Sequence, residues 1–270
     1  MASVTQRIKD VGNPGRFIKM SNFEKQVLSD DVILSDNEGG VDAASIGSVV
    51  EYLTRFFLLP RNENMGTGLL KAFHVSFIGA VHAQAYYGVK DATEIFTQLC
   101  KEMLVAVGDW EKWVTNACKL VTFDVWYRNP FSAMMSRTYE EANPTGAVIE
   151  NIRLMVKRSV KFFHERGPVI STGFDFAPSG YTETVHSGDG DFLTADTLWD
   201  MKVRRSCLKS EVAMQVLMYW IMGQHSGQEI FKGITKLGLY NPRQNVAYTL
   251  DVAKIPAEVI REVEEKVICY

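Results

Sequence analysis

The acidic and basic residues of segment 187–203 are the part of this chain best suited to chemistry. In a β-strand, residues two positions apart point to the same face, so Asp200 and Lys202 emerge together. Trp199 and Met201 then point to the opposite face, which is apolar enough to be buried. The predicted strand therefore presents a carboxylate and an ammonium group side by side, backed by a core-forming surface.

A second carboxylate is expected directly across from Asp200. An even-length turn centred on Ala195 and Asp196 makes the residue numbers of facing pairs sum to 391. This register sets Asp191 opposite Asp200, whereas an odd turn would separate them. Two like charges about 5 Å apart on facing strands are destabilising unless a positive group lies between them. A divalent cation is the simplest such group.

The helix that follows the hairpin contains a polar pair in apolar surroundings. Residues 212–222 are apolar nearly all round, which predicts a buried helix. Gln215 carries an amide that must find partners there, and Tyr219 lies one turn further along the same face. The pair is either a satisfied polar contact within a core helix or part of a functional site.

The pattern of the chain changes near Gly167 and Pro168, and the sequence predicts an α/β protein with three parts. Residues 1–40 are expected to be an N-terminal arm, 41–166 a mainly helical region, and 167–270 a sheet-containing core. Predicted helices cover 42–58, 67–87, 91–107, 109–121, 145–165 and 211–222, with a terminal helix from Pro256. Predicted strands cover 169–176, 182–186, 191–193, 197–203, 234–240 and 246–252.

Composition excludes several classes of protein. With a net charge of −3, no overall positive field attracts nucleic acid, so any phosphate-binding surface must be a local basic patch. The four cysteines form no C-x-x-C pair, which argues against an iron–sulfur cluster, a zinc ribbon or a disulfide framework. The beginning of the chain is polar and no apolar run is long enough to span a bilayer. We therefore expect a cytoplasmic protein without a membrane partner.

The hairpin and the helix together resemble the PD-(D/E)XK nuclease superfamily, particularly its RecB-type and lambda-exonuclease-type branch. That branch pairs a Gly-x-x-Asp-like strand with an Asp/Glu-x-Lys strand and follows them with a Gln-x-x-x-Tyr helix. The matching residues here are Gly188 or Gly190 with Asp191, then Asp200-Met201-Lys202, and then Gln215 and Tyr219. The resemblance covers about the last 100 residues and implies a restriction-endonuclease-like βββαβ core flanked by helices.

What the resemblance implies is Mg²⁺- or Mn²⁺-dependent hydrolysis of DNA phosphodiester bonds. Asp191 and Asp200 would hold the metal, together with the Met201 carbonyl group. Lys202 would orient the attacking water or stabilise charge on the phosphate. An earlier helix, at about residues 42–58, would add Glu51 as a further ligand.

Other residues would assist, and some alternatives stay open. Gln215 and Tyr219 would position the site or the substrate strand, while Arg204, Arg205 and Lys209 would contact phosphates. The rival interpretation is a catalytically inactive nuclease-fold protein that binds nucleic acid or protein, with the helical region holding a protein partner. RNA cannot be separated from DNA as the substrate. A group of aromatic residues either stacks on bases or, as the preferred interpretation, packs within the helical region: Trp110, Trp113, Trp126 and Tyr127.

Overall fold

In the computed structural model, residues 2–29, 39–60, 63–106 and 108–270 are described, and they form a mixed α/β protein, as the sequence predicts. The chain divides into two units. We call residues 1–33 with 162–270 the sheet unit, and residues 34–161 the helical unit. Residues 30–38, near the end of the predicted arm, lie outside the described part of the chain.

Eight strands lie in the described part of the sheet unit. They are β1 (Ala2–Ser3), β2 (Glu24–Val27), β3 (Ser171–Phe174), β4 (Val185–Ser187), β5 (Gly190–Leu193), β6 (Thr197–Met201), β7 (Lys236–Asn241) and β8 (Val246–Asp251). All of them except β1 and β4 form one six-stranded sheet, in the order β2-β8-β7-β6-β5-β3. β6 and β7 pair in parallel, and every other neighbouring pair in this sheet is antiparallel.

The longer helices agree closely with the predicted ranges, whereas three short ones, at residues 4–11, 124–128 and 130–133, were not predicted. They are α1 (Val4–Val11), α2 (Ala43–Phe57), α3 (Met65–Ala72), α4 (His74–Tyr87), α5 (Ala92–Val105), α6 (Trp110–Val121), α7 (Asp124–Arg128), α8 (Pro130–Ala133), α9 (Gly146–Arg166), α10 (Ser210–His225) and α11 (Ala257–Glu262). A π-helical turn, Val263–Ile268, extends α11. No helix in the described ranges is both long enough and apolar enough to span a bilayer.

Both faces of the central strands β5, β6 and β7 are largely apolar and buried. On one face Leu193, Leu198 and Leu237 pack in a core with the residues of α10. On the other face Trp199 meets Phe162, near the end of α9, edge to face with ring centroids 4.9 Å apart. A sheet covered on both faces reads as continuous apolar runs rather than as strict alternation. A polar side chain on β5 or β6 is therefore surrounded by buried apolar groups.

Three expectations about local structure are corrected. The predicted helix at 67–87 is two helices, because the buried Phe73 has ψ 29° and interrupts the helical backbone. The strand predicted at 182–186 is β4, which pairs with β1 in a separate two-stranded sheet. The first residues of the chain contribute α1 to the sheet unit and β2 to the edge of its main sheet.

Candidate functional site

The β5–β6 hairpin has the register predicted from the sequence. Phe192 faces Trp199 and Leu193 faces Leu198, so both pairs sum to 391. The Thr194 N–H donates to the Thr197 carbonyl oxygen at 3.0 Å, which closes the two-residue turn. If this register continues by one residue beyond Phe192 and Trp199, Asp191 lies across from Asp200.

Both aspartates belong to the sheet face that α10 covers. Leu193 and Leu198 lie in the core shared with α10. Because alternate residues share a face, Asp191 and Asp200 project to that same side. The sheet therefore directs two carboxylates into an apolar layer, where a charge is costly unless it is paired.

Asp200 is the most deeply buried acid of the hairpin. It is 1 % exposed, and its Oδ2 atom lies 2.7 Å from Nζ of Lys202 in an ion pair. This Oδ2 atom is buried, and the ammonium group of Lys202 is its charged partner. Burial raises the pKa of Asp200, the charge of Lys202 acts in the opposite direction, and the nearby Asp189 raises it further. A second cation beside Asp200 would relieve the remaining cost of ionisation.

Asp191 is held in place by the backbone of the neighbouring strand. Its Oδ2 atom accepts the Met201 N–H at 2.6 Å, and the residue is 8 % exposed. This contact ties the two strands together where regular pairing ends. The carboxylate is thus fixed in position beside β6.

The polar pair of α10 lies next to the acids. Gln215 Nε2 donates to the Tyr219 hydroxyl group at 2.8 Å, so the two polar side chains satisfy each other. Burial raises the pKa of Tyr219 well above its ordinary value, and the negative charges of Asp200, Asp189 and Asp191 raise it further. Three carboxylates therefore act on one phenol, which brings the acids of the hairpin and the Gln-x-x-x-Tyr helix into one cluster.

Asp189 also belongs to this cluster, although it is not among the predicted site residues. It directly precedes β5, and its charge acts on both Asp200 and Tyr219. The hairpin register could have pointed to it, because residue numbers 189 and 202 also sum to 391. That sum sets Asp189 across from Lys202. Asp189 is thus a third candidate carboxylate from the sheet unit.

Two glycines allow the acidic strand to approach its neighbours. A Cβ atom on Gly188 would lie 2.9 Å from Val4 and 3.2 Å from the Tyr219 ring. A Cβ atom on Gly190 would overlap the ring of Phe174 on β3. The Gly-Asp-Gly-Asp segment therefore needs its glycines for close packing around the acids.

Gly190→Ala is expected to destabilise the protein by about 1–3 kcal/mol, because the added methyl group overpacks a filled site. The measurement is urea denaturation followed by circular dichroism. Gly47→Ala is the control: it lies within α2, where an added Cβ meets no atom within 4 Å, and alanine favours a helix. A Gly190→Ala variant as stable as the wild type would contradict the described packing against Phe174.

The predicted phosphate-binding residues lie on the segment that follows β6. Arg204, Arg205 and Lys209 are all exposed. Asn241 Nδ2 donates to the Arg204 carbonyl oxygen at 2.6 Å, and Gln244 donates to that of Arg205. The segment is thus tied to the turn between β7 and β8 while its basic side chains face solvent.

Glu51 lies on α2 in the helical unit. Its carboxylate forms an ion pair with Arg55, one turn further along the helix. The helix itself is confirmed, with Asp42 capping its first turn through the Ser45 N–H at 2.9 Å. The role of Glu51 at the metal stays a prediction.

The donor chemistry of the cluster suits a hard cation. Asp191 and Asp200 offer carboxylate oxygens, and the buried Oδ2 of Asp200 already faces one cation, the ammonium group of Lys202. Within the described ranges, no group of three or more His, Cys, Asp or Glu side chains is arranged as a complete metal site. Asp191, Asp200 and the Met201 carbonyl group are the sheet-unit groups predicted to hold a metal, and that role stays a prediction.

Comparisons with known proteins give no match, whether with protein-family models, with curated proteins or with solved structures.

Proposed function

We propose that the protein is a metal-dependent nuclease that hydrolyses DNA phosphodiester bonds. The observation that carries the proposal is the buried Asp200–Lys202 ion pair, with Asp191 on the facing strand of the same sheet face. The order of elements supports it, because β3, β5 and β6 are followed by α10 and then by β7, parallel to β6. This is the strand–strand–strand–helix–strand order that the resemblance implies.

The proposed chemistry divides among residues of the sheet unit. A divalent cation, when bound, supplies neutralisation of the developing phosphate charge and a lowered pKa for water. Asp191 and Asp200 would hold it together with the Met201 carbonyl oxygen. Lys202 already lies against Asp200, and release from that carboxylate would free its ammonium group for the phosphate or the attacking water.

Two further sets of residues assist in this proposal. Gln215 and Tyr219 hold the wall of the site opposite the sheet through their mutual hydrogen bond. The exposed Arg204, Arg205 and Lys209 would contact the phosphates of the substrate, which would make binding weaken as salt concentration rises.

A second candidate is a catalytically inactive nuclease-fold protein that binds nucleic acid or protein. It is favoured by the almost complete burial of Asp200 and by the lack of a complete metal-ligand group among the described residues. In such a protein the Asp200–Lys202 pair would be a structural ion pair only.

Cleavage assays test the proposal. Purified protein is incubated with linear, circular, single-stranded and double-stranded DNA, and with RNA, in Mg²⁺, Mn²⁺ or EDTA. We expect cleavage of DNA with either metal and none in EDTA. Cleavage that persists in Asp200→Ala would exclude this site, and a failure to cleave any substrate would favour the inactive protein.

Metal binding is measured separately by thermal melting. If Mg²⁺ or Mn²⁺ binds only the folded chain, a concentration a hundred times the dissociation constant stabilises it by about 2.7 kcal/mol. For a chain of this size the expected rise in melting temperature is roughly 5–10 °C. The rise should be absent in Asp191→Asn, and an equal rise in that variant would place the metal elsewhere.

A further inference from the structure

A basic residue near the beginning of the chain shares a sheet face with the acids of the hairpin. Asp200 on β6 pairs with Leu239 on β7, which pairs with Tyr248 on β8. Tyr248 pairs in turn with Lys25 on the edge strand β2. Residues that pair directly across strands project from the same face. Lys25 therefore lies on the face of Asp200, three strands away, which is about 14 Å at the usual strand spacing.

The segment that follows β6 runs across this face in the direction of β2. Burial raises the pKa of Asp200, and the charge of Arg204 is among those that act in the opposite direction, so Arg204 lies near that carboxyl group. Burial also raises the pKa of Tyr248, and Cys207 lies close enough to raise it further. The segment is therefore near Asp200 at its beginning and near Tyr248 three residues later.

A loop from the N-terminal part of the chain lies against the end of this segment. A Cβ atom on Gly15 would be 3.3 Å from the hydroxyl oxygen of Ser210, the first residue of α10. Phe17 is buried in the same core as Leu208, which fixes the loop in place. Arg16, between the two anchored positions, is exposed. Its guanidinium group is thus presented beside the start of α10, where the basic segment ends.

Basic side chains outnumber acidic ones on this part of the sheet unit. Segments 11–23 and 201–210 contain no aspartate or glutamate. Asp10 and Glu211 flank these segments, whereas Glu24 on β2 projects from the opposite sheet face, because neighbouring residues of a strand alternate. We define the basic surface by its five exposed members: Arg16, Lys25, Arg204, Arg205 and Lys209.

We propose that the basic surface binds the phosphate backbone of nucleic acid, with Arg16 and Lys25 extending the contacts away from the hairpin acids. Phosphates of one duplex strand are about 3.4 Å apart along the axis, so the interval between Asp200 and Lys25 corresponds to roughly four of them. Contacts to phosphate carry no sequence information, so binding should not depend on sequence. The choice of nucleic acid rests on the proposed nuclease function, because the surface begins at Asp200. Binding itself requires no metal.

The salt dependence of DNA binding tests the proposal. Fluorescence anisotropy follows labelled DNA of about 20 nucleotides, single-stranded and as a duplex, in EDTA at about 0.05–0.3 M salt. Each phosphate contact contributes about 0.9 to the slope of log affinity against log salt for a duplex, and about 0.7 for a single strand. Arg16→Gln combined with Lys25→Gln is expected to reduce the slope by about 1.4–1.8. At about 0.1 M salt it should weaken binding roughly tenfold to a hundredfold.

Two further double variants serve as controls. Arg16→Lys combined with Lys25→Arg keeps both charges and should bind DNA as the wild type does. Lys232→Gln combined with Lys254→Gln removes two positive charges elsewhere in the sheet unit, on side chains that are 71 % and 67 % exposed and pair with carboxylates. This second control should retain the wild-type slope. Circular dichroism melting shows that each variant is folded.

Three results would overturn the proposal. They are no binding of either form of DNA by the wild type, equal affinity and slope in the wild type and the Arg16 and Lys25 glutamine variant, and an equal loss in the Lys232 and Lys254 control. A surface that binds an acidic protein instead would give the second result. Failure of the nuclease proposal is distinguishable, since it would remove metal-dependent cleavage but leave the difference in binding measured in EDTA.

Discussion

Replacing Asp200 with asparagine is expected to slow metal-dependent DNA cleavage by about a hundredfold to a thousandfold. The amide has the size of the carboxylate but lacks the negative charge that would hold a cation. Asp200 is 1 % exposed and has Lys202 at 2.7 Å, so no water can take over its role at that position. Initial cleavage rates at saturating Mg²⁺ measure the effect.

The same hairpin offers a matched control for the loss of an Asp–Lys pair. Asp196, in the turn, forms an ion pair with Lys236 at 2.8 Å, and both side chains are about half exposed. An exposed pair contributes little to stability, and Asp196→Asn should cleave at the wild-type rate. Equal losses in the two variants would indicate damage to the hairpin rather than to a catalytic group, and the nuclease proposal would lose its support.

Stability measurements separate catalytic loss from unfolding. Burial raises the pKa of Asp200, although Lys202 acts in the opposite direction. A carboxyl group with a higher pKa in the folded chain favours folding most below its unfolded-state pKa, and this advantage disappears as pH rises through the folded-state pKa. At neutral pH without metal, Asp200→Asn should therefore melt at or above the wild-type temperature. A much lower melting temperature would mean that the amide breaks the hairpin.

The hairpin could be predicted because two short-range rules determine it. Strand periodicity assigned Trp199 and Asp200 to opposite faces, and the two-residue turn determined the register. The pairing of Phe192 with Trp199 confirms both inferences. Similarly, helical spacing placed Gln215 and Tyr219 on one face, and their hydrogen bond shows that they meet.

Features that depend on tertiary contacts could not be predicted in the same way. The break between α3 and α4 occurs at Phe73, whose ring packs against Tyr52 of α2 with ring centroids 5.3 Å apart. The local sequence pattern does not predict that contact. The pairing of β2 with β8 joins residues far apart in the sequence. The influence of Asp189 on Tyr219 depends on how α10 lies over the sheet, which periodicity within one element cannot specify.

Removing the indole ring of Trp199 is expected to cause the largest loss of stability, about 3–5 kcal/mol for Trp199→Ala. The ring is almost fully buried, meets Phe162 edge to face at 4.9 Å, and donates from Nε1 to the Thr194 hydroxyl group at 3.1 Å. Gly238 on the neighbouring strand leaves room for it, because a Cβ atom there would overlap the indole. Urea denaturation followed by far-ultraviolet circular dichroism measures the change.

Ile170→Ala serves as the control in the same unit, because the Ile170 side chain is 48 % exposed. The backbone N–H of Ile170 donates to the Leu193 carbonyl oxygen. A change within about 0.5 kcal/mol is expected there. A Trp199→Ala variant as stable as this control would contradict the packing of that sheet face. Trp199 directly precedes Asp200, so the burial of the indole on one face also determines that the carboxylate emerges on the other. Loss of the ring should therefore impair cleavage even under conditions where the variant remains folded.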